Sequence, residues 1–300
     1  MFFARTAYFG ASPQAGYALL ALAAFFWGLY GPVSRYFLSL GLESQEIAFL
    51  RCLVGCVCFG LHAAQRGTCR MAPGDLLKTL LFGFIGLGML NISYQLAVRE
   101  TGAALSAILL YTAPAWVALM SAVLFRHKLT WLCLVAMATA MLGVVLVTFA
   151  GSTGNTLSLF GIVCGLASAF FYALHFPWNY HWRGRYSPIL IYFYAMLGGA
   201  LLLLPFAGLT AKPVLVWLQV LAGLVFVTYV PYLCYGLGMR NVTPTPAAII
   251  VNLEPVVACL VATLWLNESF TPGGWLGTGL VIGAVFLLVA GSEKTGLKTK

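Results

Sequence analysis

Glu254 lies inside an apolar run from Ala247 to Leu266, in the string Val251-Asn252-Leu253-Glu254-Pro255. If that run is a membrane helix, eight residues at about 1.5 Å each put its Cα on the order of 10 Å below the membrane surface. A carboxyl group is costly at such depth and faces a watery cavity or a partner. Its charge can change with the occupancy of the site, which is what a coupling residue in transport requires. The competing reading is a packing role, in which the carboxyl bonds backbone freed by Pro255. Pro255 and its counterpart Pro114 each remove a hydrogen bond to the carbonyl four residues back, at Val251 and Leu110, and freed carbonyls at membrane depth need a neighbour or water. Tyr111 and Asn252 follow those carbonyls directly. Asn252 and Glu254 are separated by about 200° around a helix, so both cannot point straight into one cavity.

Other polar groups recur at helical spacing. Asn91, Tyr94 and Gln95 form a stripe at i, i+3 and i+4, and Tyr229, Tyr232 and Tyr235 form a similar one further along the chain. Tyr172, His175 and Asn179 share a face, with Trp27 as the earlier counterpart of Tyr172. Hydrogen bonding between helices would account for such stripes; lining of a cargo cavity accounts for their recurrence at the same place. His175 is of a type that can relay protons near neutral pH. Trp178, Tyr180 and Trp182 read as an interfacial aromatic belt. Arg51 is expected to run its guanidinium outward toward Glu43 or Glu46. The candidate cargo-binding residues are therefore Trp27, Asn91, Tyr94, Tyr111, Tyr172, His175, Tyr232 and Asn252, with Glu254 as the coupling group.

Ten apolar spans can position these residues: Ala15 to Tyr36, Ile47 to His62, Leu76 to Val98, Ala103 to Phe125, Trp131 to Phe149, Leu159 to Trp178, Ser187 to Ala207, Val214 to Met239, Ala247 to Leu266 and Gly274 to Val289. At 16 to 26 residues each approaches the thickness of the hydrocarbon core, and none alternates as barrel strands do. The spans repeat. Tyr94 to Thr130 aligns with Tyr235 to Thr271 at an offset of 141, matching Arg99 with Arg240, Ala107-Ile108 with Ala248-Ile249 and Pro114 with Pro255. At an offset of 145, Gly16, Ala24-Phe25-Phe26, Leu29 and Pro32 recur as Gly161, Ala169-Phe170-Phe171, Leu174 and Pro177. Five spans per unit is an odd number, so the two units enter the bilayer in opposite orientations. The expected fold is an all-α membrane protein of ten transmembrane helices in an inverted 5+5 repeat, with units at 15–150 and 157–290 joined through Gly151-Ser152-Thr153-Gly154-Asn155.

The composition agrees: 62% of residues are hydrophobic and 8% charged, against roughly 45–50% and about 25% in soluble domains. With both termini cytoplasmic, that side carries Arg5, Arg66, Arg70, Lys78, Arg126, Lys128, Arg183, Arg185, Arg240, Lys294, Lys298 and Lys300, while the outer side carries Arg35, Arg99 and Lys212. This positive-inside bias accounts for the net charge of +9 through topology and lipid contact, with no nucleic acid partner. The first apolar run reads as a span rather than a signal peptide, being too long and lacking a small-residue cleavage pattern. The cysteines fall mostly within spans as small packers, and Cys52 and Cys56, one turn apart, lack the further ligands a metal would need. No cofactor is implied. Gly161 with Gly165 and Gly279 with Gly283 are small-xxx-small pairs that would serve packing within the monomer or a homodimer.

Leu253-Glu254-Pro255-Val256-Val257-Ala258, then Leu266-Asn267-Glu268-Ser269-Phe270-Thr271 and a glycine-rich last span, resemble the carboxyl-terminal half of an EamA-type transporter of the drug/metabolite transporter superfamily. Ala48-Phe49-Leu50-Arg51 and Tyr111-Thr112-Ala113-Pro114 carry the resemblance into the first half, over about residues 15 to 290. It implies ten helices, cytoplasmic termini, and export or exchange of amino acids or other small metabolites through a central cavity. One departure is Arg126-His127-Lys128 where the family often has an acid, whereas Glu268 keeps the acid in the second half.

A secondary transporter of small metabolites, working by alternating access between the repeats in a bacterial inner membrane, is the expected function. A membrane-embedded enzyme acting on a lipid-soluble or small substrate is the rival, but no His-Glu-x-x-His or Gly-x-Ser-x-Gly is present. Phosphorylated sugars would call for several cations at depth, and Arg51 is the one Lys or Arg well within a span. Amino acids and neutral or aromatic metabolites fit better.

Overall fold

The computed structural model describes residues 12–67, 69–126, 129–149, 158–266 and 272–294. The linker at Gly151 to Asn155, His127-Lys128, Asn267 to Thr271 with Glu268, and the terminal Arg5, Lys298 and Lys300 lie outside them. Among the described residues 85% are helical and none lies in a strand. Seven helical stretches are long and apolar enough to cross a membrane: Pro13–Ser39, Ser44–Gln65, Pro73–Thr101, Ser106–Phe125, Leu159–Trp182, Pro188–Phe206 and Val214–Gly238. Three shorter apolar helices complete the set at Trp131–Leu146, Pro244–Ala258 and Pro272–Leu287. These segments are numbered α1 to α10 in chain order. Their outward faces carry exposed Leu61, Val123, Leu159, Val214 and Phe286, an apolar surface suited to lipid and not to water. The chain is a multi-pass membrane protein.

Start signals are local. Ser12, Ser158 and Ser187 accept hydrogen bonds from the backbone N–H three residues on, opening α1, α6 and α7. Proline occupies the first turn of α1, α3, α7, α9 and α10, where its missing N–H costs nothing. Glu43 and Glu46 form a capping box at the head of α2. Between α3 and α4 the expected loop at Arg99 to Gly102 is absent, because the backbone stays helical from Leu90 through Leu110. Thr101 Oγ1 donates back to the Ala97 carbonyl at 2.9 Å within this turn.

Breaks within the helices fall at matching places. The first part of α1 stops at Gly28 and that of α6 at Ala173, each followed by a leucine, Leu29 or Leu174, that caps one piece and starts the next. Pro32 and Pro177 come three residues later and cannot donate to the Gly28 and Ala173 carbonyls. A π-helical segment interrupts α3 at Gly83–Met89 and α8 at Val225–Tyr229. Helix geometry is also broken at Tyr111-Thr112 in α4 and at Asn252 in α9, just ahead of Pro114 and Pro255.

Packing joins the amino-terminal five helices to the carboxyl-terminal five: α1 lies against α8 and α9, α6 against α3 and α4, α2 against α7, and α5 against α10. The close approaches use glycine. A Cβ at Gly16 would stand 2.6 Å from Val242 and 3.2 Å from Asn241, and one at Gly161 would stand 2.5 Å from Thr101 and 2.7 Å from Glu100. The residues met differ by the same 141 that relates the two halves in sequence.

Two polar clasps tie loops to helices at opposite ends of the bundle. At one end, Arg185 pairs with Asp75 at 2.8 Å and the Tyr186 hydroxyl donates to the same carboxylate at 2.7 Å. At the other, fully buried Glu46 accepts from Thr210 N at 3.4 Å.

Candidate functional site

The helix breaks converge on one polar and aromatic cluster inside the bundle. Helix α9 stops after Val251 and restarts at Leu253, which places Glu254 in the first turn of the new piece. Its carboxylate accepts from the Tyr172 hydroxyl at 3.5 Å, just ahead of the α6 break, and from the Tyr111 hydroxyl at the α4 break. Three interrupted helices thus deliver one carboxylate and two phenols to a single point. Tyr94 on α3 stands within electrostatic range of the same carboxylate.

Arg51 completes the cluster, contrary to the expectation that it runs outward. Its guanidinium carbon lies 4.1 Å from the centre of the Tyr30 ring and 5.9 Å from that of Tyr232, a cation–π arrangement. Glu254 is within Coulombic range. The physical reason is competition between the head of α2 and the aromatic cluster. Glu46 is held by the Glu43 and Thr210 backbone N–H groups and Glu43 caps α2, which keeps both acids at the head of the helix. The Tyr30 and Tyr232 rings and the charge of Glu254 hold the guanidinium at the cluster. Arg51 Nε is buried and has no hydrogen-bond partner among the described residues.

The remaining expected residues divide. Tyr232 joins the cluster and carries the Trp27 ring on its edge at a centroid distance of 5.0 Å. Trp27 also packs on Tyr235 at 5.4 Å, so it backs the cluster from behind Tyr232. His175 is bound into the scaffold: its Nε2 lies 3.0 Å from the Gly86 carbonyl in the π-helical segment. A carbonyl only accepts, so Nε2 carries the proton and that proton is committed. Asn91 likewise donates to the Leu87 carbonyl of the same segment at 2.7 Å. Both side chains answer carbonyls that the wider π turn leaves available. Asn179 donates to the His175 carbonyl and to the Tyr192 hydroxyl, at 2.8 and 2.9 Å. Asn252 is buried two residues before Glu254, with its Nδ2 unpartnered among the described residues.

The ends of the two stripes lie outside the cluster. Gln95 reaches the Ser44 carbonyl at 3.3 Å, and the Tyr229 hydroxyl pairs with His62 Nδ1 at 2.6 Å. Trp178 and Trp182, expected in an interfacial belt, turn inward. Trp178 stacks on Phe82 at 4.6 Å and 6°, and Trp182 is 5% exposed. Tyr30 and Arg51 are the residues that reasoning from sequence left out of the site. The available signal was that Arg51 is the single cation deep in a span.

The chain matches the EamA-like transporter family over residues 14–149 and again over 159–290. It is 25% identical over 293 residues to the "uncharacterized inner membrane transporter YicL" of Salmonella typhimurium, covering 94% of this chain and 98% of that one. An "uncharacterized transporter" of Archaeoglobus fulgidus is 29% identical over 263 residues, covering 86% and 92%. A "probable terminal-alkyne amino-acid exporter" of Streptantibioticus cattleyicolor is 25% identical over 281 residues, covering 90% and 91%. A solved crystal structure shares the fold with a TM-score of 0.80 at 16% identity, covering 93% of this chain and 99% of the other. Two family matches that together span almost the whole chain, on a bundle of apolar helices, make this membrane transporter a member of the EamA-like transporter family.

Proposed function

We propose that the protein is a secondary transporter that exports or exchanges small metabolites, most readily amino acids or neutral and aromatic compounds, by alternating access at the cluster around Glu254. The observation that carries this reading is the meeting of Glu254, Tyr111 and Tyr172 from three interrupted helices at one point in the bundle. Unwound helix at membrane depth is tolerated where it lines a cavity or is covered by protein, and transporters place cargo at such breaks. The name of the Streptantibioticus relative favours amino acids.

In this reading α1 to α10 all cross the bilayer, 15–150 and 157–290 form inverted repeats, and both termini are cytoplasmic. The support is the matched breaks at Leu29 and Leu174, the matched π segments, and the Gly16 and Gly161 contacts related by the same 141 residues. Tyr94, Tyr111, Tyr172 and Tyr232 line the cargo space, backed by Trp27, while Asn91 and His175 hold the broken backbone beside it and Asn252 sits at the α9 break with an amide donor to spare. Glu254 couples occupancy to the conformational change.

Efflux from preloaded proteoliposomes tests the function. Radiolabelled L-amino acids, indole, a hexose and a hexose phosphate would be compared. At least one amino acid or neutral aromatic should leave faster than from protein-free vesicles and be recovered chemically unchanged. Recovery of an altered product would instead support an enzyme, and no flux for any compound would remove the reading.

A further inference from the structure

Arg51 is a half-buried cation whose Nε is buried and, among the described residues, has no hydrogen-bond partner and closes no ion pair with the nearby Glu254 carboxylate, while its guanidinium lies over the Tyr30 ring. An arginine inside a bilayer protein normally satisfies its five donors with carboxylate, carbonyl or water. Here the guanidinium carbon lies 4.1 and 5.9 Å from the centres of two rings, which attract its charge but offer no lone pair to its N–H groups. Glu254 is supplied with two phenol donors, yet a carboxylate has about four lone-pair sites. Each charged group therefore has spare hydrogen-bonding capacity of opposite kind, and the two come from opposite halves of the chain.

We propose that Arg51 and Glu254 are the two poles of a zwitterion site: the Arg51 N–H edge takes the cargo's carboxylate, and Glu254 takes its ammonium. The proposal rests on the transport reading above and narrows its cargo to molecules carrying both groups. Charge complementarity makes the choice. A cargo with only an anionic group would meet Glu254 without compensation, and one with only a cationic group would meet Arg51. A neutral cargo would leave both poles unpaired and separated from water, a cost comparable to that of a buried unsatisfied ion. A zwitterion replaces the mutual attraction of the poles with two closer, charge-assisted contacts. Tyr30, Tyr94 and Tyr232 then surround the cargo's side chain as a tolerant aromatic wall, so that one site accepts side chains of differing shape.

The test uses wild-type protein and the variants R51Q, R51K and E254Q, each confirmed monodisperse in detergent. Efflux of L-phenylalanine is measured in competition with phenethylamine, which lacks the carboxylate, and 3-phenylpropionate, which lacks the ammonium. In the wild type, each truncated compound should compete at least tenfold more weakly than L-phenylalanine, as expected for loss of one charge-assisted contact. In R51Q, affinity for L-phenylalanine should fall about 10- to 100-fold while that for phenethylamine changes less than threefold, with R51K intermediate because it restores charge but not the fork. E254Q should show the mirror image with 3-phenylpropionate. If a variant fails to fold, the wild-type competition order still decides. Equal competition by the truncated compounds, or equal losses for all three compounds in R51Q, would overturn the proposal. Flux of indole or hexose without flux of any L-amino acid would overturn it while leaving the transporter reading intact. No flux of any compound would overturn both.

Discussion

Replacement of Glu254 by glutamine separates a working carboxylate from a packing one. The amide keeps the volume and one carbonyl oxygen that still accepts from Tyr111 or Tyr172, so what is lost is the charge assistance to two phenol donors. Hydrogen bonds to charged groups are worth about 1.5–3 kcal/mol against about 1 kcal/mol for neutral ones, and the Tyr172 contact at 3.5 Å is long and belongs at the weak end. The structural loss is therefore about 1 kcal/mol, a shift of only about 2–4 °C in the melting temperature of a protein this large. Turnover should fall much further, by tenfold or more, because the amide can no longer change charge as cargo enters and leaves. Melting of the detergent-solubilised variant and initial efflux rates across a pH series read the two effects separately. Unchanged rate and pH profile in a folded variant would refute the coupling role. A variant that does not fold would show that the carboxylate serves packing.

The aromatic positions should give cargo-dependent losses. Trp27→Ala opens a cavity behind Tyr232, whereas Tyr172→Ala removes a phenol from Glu254 itself, so their effects on the apparent affinities for L-phenylalanine and L-alanine should differ in ratio. Equal losses for both cargoes would place the site elsewhere. A Cβ at Gly83 would collide with the Ala195 carbonyl, so Gly83→Ala must push α3 from α7 and cost at least about 1–3 kcal/mol, read as a lowered melting temperature; an unchanged melt would contradict that packing. In a background lacking native cysteines, His127→Cys and Glu268→Cys should be labelled from opposite sides of intact membranes. Labelling from the same side would remove the inverted topology.

Much of the scaffold was legible because proline and glycine mark backbone events directly. Pro114 and Pro255 announced the breaks at Leu110 and Val251, and the structure has both. The breaks at Leu29 and Leu174 carried the same kind of signal in Pro32 and Pro177, but a proline near a helix end reads equally as a terminus. Register alone did not reveal the π segments, since Gly83 to Met89 looks like any apolar helix in sequence. His175 and Asn91 consequently read as cavity groups when their partners are carbonyls that only the widened turn supplies. The inward course of Arg51 is hidden in the sequence for a related reason. Its distance along the chain to Glu43 and Glu46 is short, but Tyr232, which draws it inward, and Thr210, which bonds Glu46 from 164 residues away, are remote in sequence.

Alternating access at the Glu254 cluster is tested most directly at Tyr94, which keeps some accessible surface beside that carboxylate. A Tyr94→Cys substitution in a cysteine-free background can be exposed to a membrane-impermeant maleimide from the outside of sealed right-side-out vesicles, and separately from the outside of inverted ones. The account predicts labelling from both sides, slowed in each case by a transported amino acid and not by a compound that fails to efflux. Labelling from one side alone, or labelling from both sides at a rate that cargo leaves unchanged, would contradict it.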